Sequence, residues 1–129
     1  YEVLPSPSHA ENIAPLAEAE ALAPRSVSGI PAVYLNETFS AVLTMWGLSD
    51  AIVGANVTLY DLNESTIIGS GMVIPKGKYC AIAIISSSYE QVYKSLGAKP
   101  KYGIHTLLVK LGSLVLPLRI ALLRRTVFR

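Results

Sequence analysis

An asparagine followed two residues later by Thr or Ser occurs three times, in Asn36-Glu37-Thr38, Asn56-Val57-Thr58 and Asn63-Glu64-Ser65. Each triplet sets a side-chain amide beside a hydroxyl, the acceptor pattern for an N-linked glycan, and in none is the middle residue Pro. The chain has only four Asn, so three in this setting predict a glycosylated polypeptide that ends at the cell surface or beyond it. Other chemistry-bearing side chains are sparse. His9 and His105 are the only histidines, and their separation gives no metal-ligand spacing. Cys80 has no second Cys to pair with and lies in an apolar run, so a buried, unreactive thiol is expected. Asp50, Asp61 and Glu64 offer oxygens for a hard cation but lack an Asp-x-Asp spacing, and solvated turns are the expected reading. No G-x-S-x-G, phosphate loop or C-x-x-C is present, so the sequence predicts no catalytic residue, no metal and no cofactor.

The elements that must carry these groups are mostly strands. With 129 residues, 51% hydrophobic and 16% charged, the chain has the material for one packed core. A net charge of +2, with Arg119, Arg124, Arg125 and Arg129 near the end and no interleaved stacking aromatics, argues against a nucleic-acid face. Residues 107–123 are apolar enough to raise a membrane span, but Lys110, Pro117 and Arg119 interrupt them and Gly112-Ser113 is a turn signal. No membrane span is expected. The start at Tyr1 fits a mature chain freed of a signal peptide, and the early Pro and Glu residues exclude the long apolar helix that opens a type IV pilin.

The pattern changes near residue 30. The first thirty residues contain Pro5, Pro7, Pro15 and Pro24, with many Ala and Glu, and read as an extended arm. From residue 31 onward strands follow. Phe39, Ala41, Leu43 and Met45 share one face; Val57, Leu59 and Asp61 share another; Leu62-Asn63-Glu64-Ser65 turns the chain into a second strand. Pro75-Lys76-Gly77-Lys78 is a tight turn before an apolar strand over residues 79–86, which must be central or covered. Residues 86–100 form a polar bridge, either one helical turn or a loop. Two last strands flank Gly112, and Pro117 requires the second of them to be an edge or bulged.

Together these signals predict an all-β chain: a single Ig-like antiparallel β-sandwich of about seven strands over residues 31–129, preceded by the arm of residues 1–30. The run Gly54-Ala55-Asn56-Val57-Thr58-Leu59-Tyr60-Asp61, then Gly69-Ser70-Gly71, then Pro75-Lys76-Gly77-Lys78-Tyr79, resembles the pattern of prealbumin-like and related Ig-like surface modules. That resemblance implies a fold shared by spacers, adhesins and filament subunits. An extended arm can add a strand to a neighbour's open sheet edge, and a head-to-tail contact of that kind does not close. In design the chain resembles the donor-strand surface filaments of archaea, whose subunits complete one another's sandwiches. The single Gln, the single Cys and the dense Ile, Val and Leu content are also mildly thermophile-like.

The resemblance implies a self-polymerising, extracellular, glycosylated subunit, with Val3, Leu4, Ile13, Leu16 and Leu22 as the arm residues that dock. A different class remains open: a monomeric carbohydrate- or ligand-binding module of an adhesin or S-layer protein. Such a module would gather Trp46, Tyr60, Tyr79, Tyr89, Tyr93 and Tyr102 on one face or loop.

Overall fold

The computed structural model describes residues 16–47, 52–63 and 65–126. Among these residues ten strands and one helix follow in the order β1 (Ala17–Leu22), β2 (Arg25–Val27), β3 (Ile30–Tyr34), β4 (Phe39–Trp46), β5 (Asn56–Asp61), β6 (Thr66–Met72), β7 (Ile74–Pro75), β8 (Cys80–Ser87), α1 (Tyr89–Leu96), β9 (Gly103–Leu111) and β10 (Leu114–Leu123). They make two sheets packed face to face, one ordered β1-β4-β8-β7 and the other β2-β3-β10-β9-β5-β6. The chain is therefore an all-β sandwich with ten strands rather than seven. It is also not wholly antiparallel, because β3 and β10 pair in parallel through Ala32–Ala121, Val33–Leu122 and Tyr34–Leu123. These two strands are far apart in the chain, and the long path between them through both sheets allows the parallel pairing that a tight turn cannot.

Period-two patterning explains the core. In β4, Phe39, Ala41, Leu43 and Met45 are buried, and in β5 Val57, Leu59 and Asp61 are buried with them. Leu107 and Val109 of β9 and Leu118, Ile120 and Leu122 of β10 close the interior from the other sheet. Gly112 (φ 57) turns β9 into β10 over their full antiparallel ladder. The apolar β8 lies inside its sheet between β4 and β7, so it is central, but its outer face is open and Ile84 is half exposed. Cys80, expected deep in that strand, sits at its start opposite Trp46 and is only partly buried.

The polar bridge became two helical turns rather than one. Tyr89, Val92 and Tyr93 recur at helical spacing and pack onto the end of the sandwich, where Tyr89 lies 5.6 Å from the Phe39 ring. Gly97 ends the helix in the left-handed conformation.

Gly69 and Gly71 mark the closest approach between the sheets. A Cβ on Gly71 would lie 2.7 Å from the Ile84 carbonyl oxygen, and one on Gly69 would lie 2.8 Å from Ile85 Cγ2. Backbone cannot swing aside as a side-chain tip can. Gly71→Ala is thus expected to cost about 1–3 kcal/mol, more than Gly69→Ala, in chemical denaturation; equal or negligible costs would show that β6 has room to move.

Candidate functional site

The three sequons occupy different backbone settings. Asn36 lies in the turn between β3 and β4, with Asn36 and Thr38 exposed while Glu37 points inward. Glu37 is clamped by the Arg25 guanidinium and accepts the Tyr34 N–H at 2.7 Å, so the middle residue anchors the turn and leaves the acceptor pair free. Both Arg25 and Arg125 stack on the Tyr34 ring, at 4.4 and 4.6 Å. Asn63 lies in the β5–β6 turn, where its N–H donates to Asp61 Oδ1 at 3.0 Å. Asn56 differs, because it opens β5 and pairs with Met72, its side chain on the outer face opposite buried Val57. The β3, β5 and β10 strands run in one direction, which brings Asn36 and Asn63 to the same end of the sandwich and leaves Asn56 at the other.

The Arg25 pairing and the Tyr34 N–H hold the Glu37 carboxyl down from 4.5 to about 2. A carboxylate lowered on folding contributes stability above its unfolded value and loses it as pH falls through its folded value. Wild-type Tm should therefore fall more steeply than that of Glu37→Gln between pH 4.5 and 2. Gln keeps the sequon intact, and parallel melting curves would count against the clamp.

The side of the sandwich where β1 lies is open. β1 pairs with β4 through one edge, from Ala17–Met45 to Leu22–Ser40, and among the described residues its other edge meets no strand. In the facing sheet, β3 flanks β10 only at Ala121–Leu123, so β10 has a second free edge below that point. Pro117 falls in this free stretch, where its missing N–H costs no ladder bond to a third strand. The side chains that β1 turns inward are Ala17, Ala19 and Ala21, too short to fill the gap. A cleft of about 540 Å³ results, lined by Ala19–Ala21, Gly29–Pro31 and Pro117–Arg119 with Thr106. Two open edges beside an apolar cleft can take an added strand through main-chain hydrogen bonds.

This geometry redraws the expected arm. Residues 17–29 belong to the chain's own sandwich as β1, β2 and a turn, because alternating Ala and Glu can place every Ala of β1 against the core and every Glu outward. Of the expected docking residues, Leu16 and Leu22 face outward and are 56% and 54% exposed, and the Leu16 carbonyl accepts the Trp46 N–H at 2.9 Å. Val3, Leu4 and Ile13 lie outside the described residues, as does His9.

One polar cluster escaped the sequence reading. Asp61 and His105 are 0% and 2% exposed, with Asp61 Oδ2 3.4 Å from His105 Nδ1 and His105 Nε2 2.6 Å from the Lys101 carbonyl oxygen. Lys101 O can only accept, so Nε2 carries a proton and Nδ1 faces the carboxyl. The Tyr89 ring covers His105 at 4.9 Å, and burial pushes its hydroxyl far above tyrosine's ordinary value. Asp61 was read both as an inward face position and as a solvated turn; the first is what the structure has. The pair's effect is to tie the Asn63 turn to the start of β9, aided by the Leu62 N–H to Thr106 O bond of 3.3 Å.

The aromatic residues do not form one platform. Tyr89 and Tyr93 are buried, Tyr60 lies under Lys110 on the six-stranded sheet, Trp46 and Tyr79 are exposed at one end, and Tyr102 is at the other beside Arg124. Among the described residues no cluster of His, Cys, Asp or Glu suits a metal ion, and no helix is long and apolar enough to cross a membrane. Among the described residues the fold is an all-β sandwich with one uncovered side, and the three sequon asparagines are exposed. Comparison with protein-family models, curated proteins and solved structures found no match.

Proposed function

We propose that the chain is a structural subunit of a glycosylated extracellular filament, an Ig-like module that polymerises head-to-tail by donating a strand from its N-terminal arm. The observation that carries this reading is the open edge of β1 above its cleft. The donated segment is narrower than the whole arm, since β1 already belongs to its own sheet, and it would come from residues 1–15.

The arm's sequence suits a strand that pairs on one edge only. In an extended chain, N–H groups alternate between the two edges, and side chains alternate between the two faces. Pro5 and Pro7 lack donors on the same edge, whereas Leu4, Ser6 and Ser8 keep theirs on the other. The face bearing Tyr1, Val3, Pro5 and Pro7 is the more apolar, so it would cover the cleft while the intact edge pairs with β1 and the proline edge ends the sheet. Glycans at Asn36, Asn56 and Asn63 would mask other surfaces against unwanted edge pairing. Deleting residues 1–15 tests the reading: a folded monomer that no longer polymerises is the expected product, and unchanged filaments would remove the arm from the linkage.

A further inference from the structure

The outer face of the four-stranded sheet is apolar, and no sequon lies on it. Register places Val42 beside Ile84, and Thr44 beside Ile82, which in turn pairs with Ile74. Trp46 stands opposite Cys80 at one end, and Leu22 of β1 adjoins Ser40 at the other. Ile84, Ile74 and Trp46 are 52%, 49% and 40% exposed, a large fraction for the middle of a sheet face. Asn36, Asn56 and Asn63 all belong to the six-stranded sheet or to the end of the sandwich, so glycan at these positions would not cover this face, and among the described residues no strand or helix packs on it.

The border of the face is charged, and the two sides differ in sign. Glu18 and Glu20 project from β1 along one margin. Lys76 lies along the other, where its N–H donates to the Cys80 carbonyl at 2.8 Å, and Lys78 follows in the same turn at the Trp46 end, its ammonium over the Tyr79 ring at 5.5 Å. Stacking two such faces about a two-fold axis parallel to the strands puts β1 of one copy over β7 of the other. The Glu margin then meets the Lys margin twice, around an apolar centre. An axis across the strands would instead set like charge on like charge.

We infer that this face pairs with the same face of a second copy, forming an isologous contact with strands aligned. In a filament the contact would join subunits of adjacent strands side by side; for unpolymerised chains it would make a dimer. The inference is independent of strand donation by the arm, which uses the β1 edge and the cleft behind it.

The test uses the full chain, with sedimentation velocity for soluble species and negative-stain images for side-by-side pairing of filaments. Ile84→Lys, placed at an exposed central position, should weaken pairing on the order of 30-fold while leaving the melting curve in place. Glu18→Lys with Glu20→Lys, or Lys76→Glu with Lys78→Glu, should each weaken it by roughly tenfold, and all four together should restore it, because complementarity returns with the signs exchanged. Restoration separates a true contact from a loss of folding. Unpaired wild-type chains, single filaments with no lateral partners, or a fourfold variant no better than its parents would overturn the inference. Sedimentation with phosphatidylcholine vesicles that Ile84→Lys abolishes, in a chain that does not self-pair, would assign the face to a lipid surface and overturn it equally.

Discussion

Asp61→Ala should cost about 3–5 kcal/mol, with a fall in Tm on the order of 10–20 °C, because it leaves two polar groups without their partner. The substitution removes the carboxyl facing buried His105 and the acceptor of the Asn63 N–H at the same time. His105 Nδ1 is then left against an apolar wall, and the β5–β6 turn loses its tether. Asp61→Asn gives a sharper result. Its amide keeps an oxygen for Asn63 and offers an N–H toward His105 Nδ1, so the cost should drop to about 1 kcal/mol. If Asn proves as damaging as Ala in denaturant unfolding, the pair depends on charge and this account of it is wrong.

Ser6→Pro should abolish polymerisation as fully as deletion of residues 1–15, whereas Pro7→Ala should not. The difference follows from which edge of an extended strand each residue serves. A third proline at Ser6 removes a donor from the only edge that Pro5 and Pro7 leave intact. Replacing Pro7 merely returns a donor to the edge that faces away. Electron microscopy of the two variants at equal concentration reads the outcome directly. Filaments from Ser6→Pro would mean that the arm pairs through the other edge or does not pair, and the one-edge argument would fall.

Strand position was legible wherever alternation was strong and bounded by turn residues. Val57, Leu59 and Asp61 were read on one face and are all buried, and the turn at Gly112 joins β9 and β10 as the pattern required. Pro117 was read as requiring an edge strand or a bulge; β10 instead lies between β3 and β9 with an unbroken ladder, and only its stretch around Pro117 lacks a third strand. Pairing between distant segments was not legible. Nothing local in Ala17–Leu22 says that its partner is β4, and Ala, a poor strand former by propensity, hid a strand that burial on one face stabilises. Asp61 and His105 meet only because β5 lies beside β9, a neighbour relation set by the whole sheet. The break at residues 35–38 is not legible either, although the chain crosses there from one sheet to the other. Of the candidate site, the three sequons are a matter of sequence and the structure adds that their asparagines are exposed, while the open edge and its cleft are properties of two sheets of unequal width.

The most direct test of the central claim is negative-stain electron microscopy of the purified full chain, with glycopeptide mass spectrometry on the same sample. The account predicts filaments one subunit wide, or pairs of them, carrying added glycan mass on Asn36, Asn56 or Asn63. Monodisperse single domains with unmodified asparagines, under conditions where the chain is folded, would contradict it.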